Sequence, residues 1–290
     1  MKEALIKKWF ILGASLLFLS SHQPLEQVIP DTTANSPEQI TYEPCKMENN
    51  TFTGGEEIVY KIYYNWNFVW LAAGEATFKV KDLGDRYHIS ASGRTYSSYE
   101  WFFTVRDYYD TYIDKETLLP YISIRNVREG GYQLYDAVTF DPSRNVAVSH
   151  RGKTREVAKK TEYTVDNCMH DILSIIYYTR NIDFNHLHEG AQVPVKIFMD
   201  KETWPLKVRY KGKDPNKKIK GQGSFRTHKF SPEVIVGNVF KEDTQMSVWV
   251  TDDKNKIPLL IESPVSVGSV KVVLKSYKGL KYDFSAQIPD

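Results

Sequence analysis

Apolar and polar residues alternate with a period of two in segment after segment, and that pattern constrains the fold more than any other feature. Tyr60, Ile62 and Tyr64 share one parity. Ala76, Phe78 and Val80 alternate with Thr77, Lys79 and Lys81, and Tyr87, Ile89 and Ala91 with His88, Ser90 and Ser92. Such spacing puts one face of each strand on a core and the other in water. The pattern returns at Val193–Met199, Trp204–Tyr210, Met246–Val250, Ile257–Ile261 and Val270–Leu274. Turn signals separate the runs: Leu83-Gly84-Asp85, Gly130-Gly131, Asp141-Pro142-Ser143-Arg144 and Asp252-Asp253-Lys254-Asn255. An aromatic content of 13% suits strands, whose pleated surface takes large rings well.

One segment breaks the rhythm. Ile172, Leu173, Ile175, Ile176 and Tyr177 are apolar around most of a helical circumference, so this helix expects cover on several sides. Asp166 or Asn167 can cap it; Asp171 near its start and Arg180 near its end suit the helix dipole. The expected fold is mainly β: a curved antiparallel meander forming a barrel or half-barrel, with one long helix (about 168–181) packed against it.

The first residues carry an address. Lys2, Lys7 and Lys8 precede an apolar run over 9–19, followed by Ser20 and Ser21. That run has the length of a signal-peptide core and is too short to span a bilayer. Residues 1–21 are read as a cleaved signal, 22–50 as an extended or disordered leader containing Pro24, Pro30, Pro37 and Pro44, and 51–290 as a single β-rich domain. The expected location is exported, periplasmic or associated with the outer envelope, soluble after cleavage. Removing 1–21 takes three Lys and one Glu from 38 basic and 36 acidic residues, leaving 35 of each. A neutral mature chain has no overall pull toward nucleic acid. In an exported chain the two cysteines, Cys45 and Cys168, are expected to form a disulfide.

Several segments in order resemble the exported bacterial proteins of domain-of-unknown-function family 3108 (DUF3108). They are Gly55-Glu56-Glu57-Ile58-Val59-Tyr60, Trp66 and Gly74-Glu75-Ala76; then residues 171–180; then Val248-Trp249-Val250-Thr251-Asp252-Asp253, Ile257-Pro258 and residues 268–274. The resemblance covers roughly 52–284. It implies a β-rich envelope protein of Gram-negative bacteria and brings no catalytic residues with it.

The chemistry-bearing residues each admit a plain reading. His186 and His188 could grip one ion from one strand face, yet they stand in a polar loop before Gly190 and read as solvated. His170-Asp171 could do acid–base work or simply serve the helix N-terminus. The basic stretches 151–160 and 211–220 could hold phosphate or acidic polysaccharide, but read as a solvated strand face and a hairpin loop. No GxSxG or HExxH is present. The aromatic series from Tyr60 to Trp70, with Trp101, Phe102, Tyr108 and Tyr109, is core or a ligand surface.

The leading expectation is a non-enzymatic exported envelope protein. It would bind a hydrophobic or amphipathic ligand, or a polymer, in an aromatic-lined groove at Tyr64, Trp66, Trp70, Tyr108 and Tyr109. No cofactor, catalytic residue or nucleic acid is expected, and no transmembrane segment in the mature chain. The partner would be a lipid, a glycan or an envelope protein. The alternatives are a periplasmic interaction or assembly factor, and a hydrolase of envelope polymers using groups such as Asp107, Asp110, Asp171, His170 and Glu189.

Overall fold

The computed structural model describes residues 46–66, 69–101, 103–235, 244–265 and 268–289. The expected signal, most of the leader with Cys45, and also Phe68, Phe102 and the side chain of Trp66 lie outside the described residues.

Fifteen strands follow in chain order. The first eight are β1 (Glu57–Trp66), β2 (Val69–Asp82), β3 (Arg86–Thr95), β4 (Arg106–Asp114), β5 (Pro120–Glu129), β6 (Tyr132–Asp141), β7 (Val146–Gly152) and β8 (Lys159–Thr164). Helix α1 (Ile172–Arg180) comes next. The remainder are β9 (Gln192–Met199), β10 (Glu202–Ile219), β11 (Gly223–Pro232), β12 (Ser247–Thr251), β13 (Pro258–Pro264), β14 (Ser269–Lys278) and β15 (Gln287–Ile288). They form one antiparallel sheet in the order β8-β7-β6-β5-β4-β3-β2-β1-β14-β13-β12-β11-β10-β9, with β15 on β11. Each half is a meander of neighbours, and β1 beside β14 joins the halves.

The two outer strands of this path, β8 and β9, do not pair. One parallel bridge between His170 and Ile197 links the segment after β8 to β9. There the His170 N–H donates to the Lys196 carbonyl and the Phe198 N–H to the His170 carbonyl. The sheet therefore curls without closing by a continuous ladder, and a seam runs between its ends.

Helix α1 lies on the inner face against β3, β4 and β9. Leu173, Ile175, Tyr177 and Tyr178 join Ile89, Tyr109, Ile113, Val193, Val195 and Ile197 in the largest apolar cluster. The helix is shorter than its sequence suggests, and its cap is Asp171 rather than Asp166 or Asn167. The Asp171 carboxylate accepts from the N–H groups of Leu173 and Ser174, and the Ser174 hydroxyl accepts from the Asp171 N–H. The backbone explains the late start. Cys168 sits at φ 62, in the left-handed region, and His170 is engaged by β9.

Residues 46–50, grouped with the leader by composition, lie against the body. Met47 is buried, and the Asn50 N–H donates to the Asn181 side chain at 2.6 Å. The stretch 211–219 is not a hairpin loop. It continues β10, paired with β11, and sets the Lys217 ammonium 3.6 Å from the centre of the Trp249 ring. Among the described residues no helix is long and apolar enough to cross a membrane.

Candidate functional site

Four neighbouring strands carry one row of facing residues on the inner side: Tyr109 on β4 opposite Arg125 on β5, Arg125 opposite Asp136 on β6, and Asp136 opposite Arg151 on β7. Directly opposed side chains in an antiparallel sheet lie close enough to interact. Alternating charge along the row therefore produces contact. Arg125 Nη2 donates to Asp136 Oδ2 at 2.7 Å, Arg151 Nη1 to the same oxygen at 2.6 Å, and Ser149 Oγ to Asp136 Oδ1 at 2.8 Å.

A fourth charge arrives from across the seam. The β9–β10 connection is a two-residue turn, Asp200-Lys201, between the paired residues Met199 and Glu202. Both turn residues have positive φ, 53 and 76. This twist suits a tight hairpin and usually calls for Asn or Gly. The turn drops the Asp200 carboxylate between the two arginines, 2.7 Å from Arg125 and 2.8 Å from Arg151. Burial alone would raise the Asp200 pKa; the charges of Arg125 and Arg151 outweigh it and hold the carboxyl below its ordinary value. Two cations and two anions make the lattice neutral.

Above this lattice a basin of about 870 Å³ opens on the inner face of β6–β8. Arg151, Lys153, Lys159 and Lys201 line it, and the three lysines are exposed. Tyr132, Leu134 and Tyr163 supply apolar surface, and Gly131, Gln133, Gly152 and Thr161 complete the lining. Four cations line the basin and no carboxylate does. Gly130, next to the lining residue Gly131, has a φ of +56, and a Cβ there would lie 2.8 Å from the Phe103 ring.

Other buried polar groups lie elsewhere, among them Asp107, His170 and His228. Asp107, on β4, is bonded to Glu129 and accepts from the Arg128 N–H at 3.0 Å; burial pushes its pKa up to about 6. At the start of α1, His170 Nδ1 meets Ser174 Oγ at 3.1 Å, and burial lowers the imidazole to about 3. The adjacent Asp171 carboxylate is used by the cap and by the Thr111 hydroxyl at 2.7 Å. Between β10 and β12, His228 lies 2.9 Å from both Tyr210 Oη and Asp252 Oδ1.

The expected aromatic set is distributed over several surfaces. Tyr64 is buried in an apolar cluster with Phe103 and Val270. Tyr109 is buried beside the ionic row, whereas its neighbour Tyr108 points outward and is exposed. Trp70 is exposed, with the Lys271 ammonium 4.7 Å from its ring centre. His186 falls in a short 3-10 turn (Phe184–His186), not on a strand, 3.2 Å from Asp183. His188 follows it outside any strand. Among the described residues no cluster of three His, Cys, Asp or Glu could hold a metal. Of the hydrolase candidates, Asp107 faces inward, while Asp110 meets His88 at 2.7 Å and is partly exposed. Cys168 is buried and is not a free thiol, but Cys45 lies outside the described residues.

Lys153 and Lys159 are exposed, as the solvated-face reading of 151–160 expects, whereas Arg151 turns into the lattice with Arg125, Asp136 and Asp200, which no sequence motif singles out. A signal was present. Asp136 stands at the inward parity between Leu134 and Val138, and Arg125 likewise beside Val127. A charge at a core position needs a partner.

No curated protein matches the chain. Among solved structures, a β-barrel-like protein of the DUF1849 family from Brucella abortus matches with a TM-score of 0.53 at 8% identity, covering 80% of this chain and all of that one. That likeness concerns the fold alone. A protein with a YmcC-like fold from Bacteroides fragilis matches at a TM-score of 0.30 and 12% identity, covering 80% of this chain and 99% of its own. The sequence also matches, over residues 59–275, the family described as a protein of unknown function (DUF3108), and the chain belongs to that family.

Proposed function

We propose that this is a non-enzymatic exported envelope protein that binds an anionic amphipathic ligand, or an anionic polymer segment, in the seam basin. The observation that carries the reading is the lining: four cations, two tyrosines, a leucine and no carboxylate. The lattice beneath neutralises itself, so the charges of Lys153, Lys159 and Lys201 remain to face a ligand. Charge-assisted hydrogen bonds to a phosphate or carboxylate are the strong kind, and tyrosine offers an apolar body with a polar tip. The strained turn supports the same reading. Two non-glycine residues at positive φ cost stability, and such strain clusters at functional sites. Here it places Asp200 under the basin and Lys201 on its edge.

The test is titration calorimetry of the purified protein with short-chain phosphatidylglycerol below its micelle concentration, with the phosphatidylcholine analogue as the neutral comparison. The anionic lipid should bind more tightly, and Lys159→Ala with Lys201→Ala should weaken it by about tenfold. Equal affinity for the two lipids, or a double variant that binds like the parent, would sink the proposal.

Export belongs to the same reading: a signal over 1–21, a leader, and a Cys45–Cys168 bridge tying that leader to the body before α1. Unreduced peptide mapping of the exported protein should recover the two cysteines joined.

A further inference from the structure

The meander sends alternate connections to one end of the sheet. Those joining β1–β2, β3–β4, β5–β6, β7–β8 and β9–β10 all emerge at the end where the basin opens. Large exposed apolar side chains gather there. Val69 and Trp70 stand at the start of β2, Trp101 in the β3–β4 connection, Tyr108 near the start of β4 and Val157 in the β7–β8 connection. Their exposures are 57%, 42%, 82%, 51% and 61%. Leu83, Tyr121 and Tyr277 are the exposed large apolar residues of the opposite end among the described residues. Among the described residues the asymmetry is therefore five to three, with the exposed Trp70 and Trp101 at the basin end.

We propose that the basin end docks on the surface of an anionic lipid bilayer. Tryptophan and tyrosine favour the membrane interface, where the ring meets apolar chains and the polar edge stays wet. Lysines interleave with these residues: Lys153 and Lys159 flank Val157, and Lys271 sits over the Trp70 ring. Basic side chains near an anionic leaflet add attraction that decays within a Debye length. The apolar residues stand at the starts of β2 and β4 and in the β3–β4 and β7–β8 connections rather than in one concave pocket. This spread suits a planar partner better than the side chain of another protein.

The docking end is also continuous with the basin. The β3–β4 connection carrying Trp101 touches the β5–β6 turn, where the Gly130 N–H donates to the Thr104 carbonyl at 2.8 Å, and Gly131 and Tyr132 line the basin. A docked molecule would thus present the basin to lipid head groups. Docking itself does not depend on the basin being a binding site.

The experiment is co-sedimentation of the exported full chain with vesicles of phosphatidylcholine, with and without phosphatidylglycerol, read also by tryptophan fluorescence. The parent protein should partition onto the anionic vesicles, less so at high salt, with a blue-shifted emission. Trp101→Ser combined with Val157→Ser should lower the partition coefficient by about tenfold while far-UV circular dichroism stays unchanged. The Lys159→Ala, Lys201→Ala variant should still sediment through its apolar residues. If that variant loses the soluble lipid but keeps the vesicles, both readings stand. If the parent protein fails to bind soluble lipid yet sediments, the basin reading falls and docking survives. A parent protein that stays in the supernatant, or a Trp101/Val157 variant that sediments like the parent, overturns the docking proposal.

Discussion

Asp107 shows how one side chain can make stability depend on pH. Burial raises its pKa from 3.8 to about 6, and its bond to Glu129 joins two carboxyl groups. The hydrogen bonds to the Arg128 N–H and to Glu129 favour the carboxylate, and burial outweighs them. A raised folded-state pKa favours the folded protein below pH 3.8, and that contribution is lost as pH rises through about 6. Asp107→Asn keeps a donor toward Glu129 and removes the titration. The variant should match the parent near pH 4 and exceed it by about 2 kcal/mol at pH 8. Urea unfolding at the two pH values measures this; a variant less stable than the parent at pH 8 would show that the ionised carboxylate is well accommodated.

The β9–β10 turn is the element where structure and ligand binding compete. Lys201 has a φ of 76, which glycine adopts without a steric penalty. Lys201→Gly should raise unfolding stability by about 1 kcal/mol. The same change removes a cation from the basin edge, so affinity for the anionic lipid should fall. Denaturant midpoints and calorimetry on one variant read both effects, and a loss of stability would mean that Lys201 contributes contacts outweighing its strain. Helix α1 makes a related point. Its length is set by where β9 engages His170 and where Asp171 can cap, rather than by how far the apolar pattern extends.

For the whole molecule, a buried ion pair ties distant parts of the chain together. Arg180, the last residue of α1, donates to both oxygens of Glu56 at 2.7 and 2.8 Å and to the Asn255 carbonyl at 3.0 Å. Asn255 in turn donates to the Tyr282 carbonyl at 3.0 Å. The segment before β1, the helix, the β12–β13 turn and the C-terminal segment therefore meet at one guanidinium. Glu56→Gln leaves that buried charge uncompensated and should cost about 3–5 kcal/mol. A guanidinium chloride midpoint shifted by less than 1 kcal/mol equivalent, on the order of a surface pair, would show the pair to be dispensable.

Period-two patterning made Ala76–Val80, Tyr87–Ala91 and Val193–Met199 legible as strands, because a half-buried strand must alternate. It left β8 unread: Lys-Lys-Thr-Glu-Tyr-Thr is almost wholly exposed, so no apolar alternation marks it. By itself the sequence determined the β class, the helix that follows β8, several turns and the family, since these follow from local periodicity and ordered motifs. Only the tertiary structure decided that Arg125, Asp136, Arg151 and Asp200 form one lattice, that Lys153, Lys159 and Lys201 share a basin, and that Tyr108 and Tyr109 serve opposite faces. The physical reason is that register and curl bring together residues far apart in the chain, 75 positions in the Arg125–Asp200 contact, and no local pattern encodes which strand will lie opposite another across a seam.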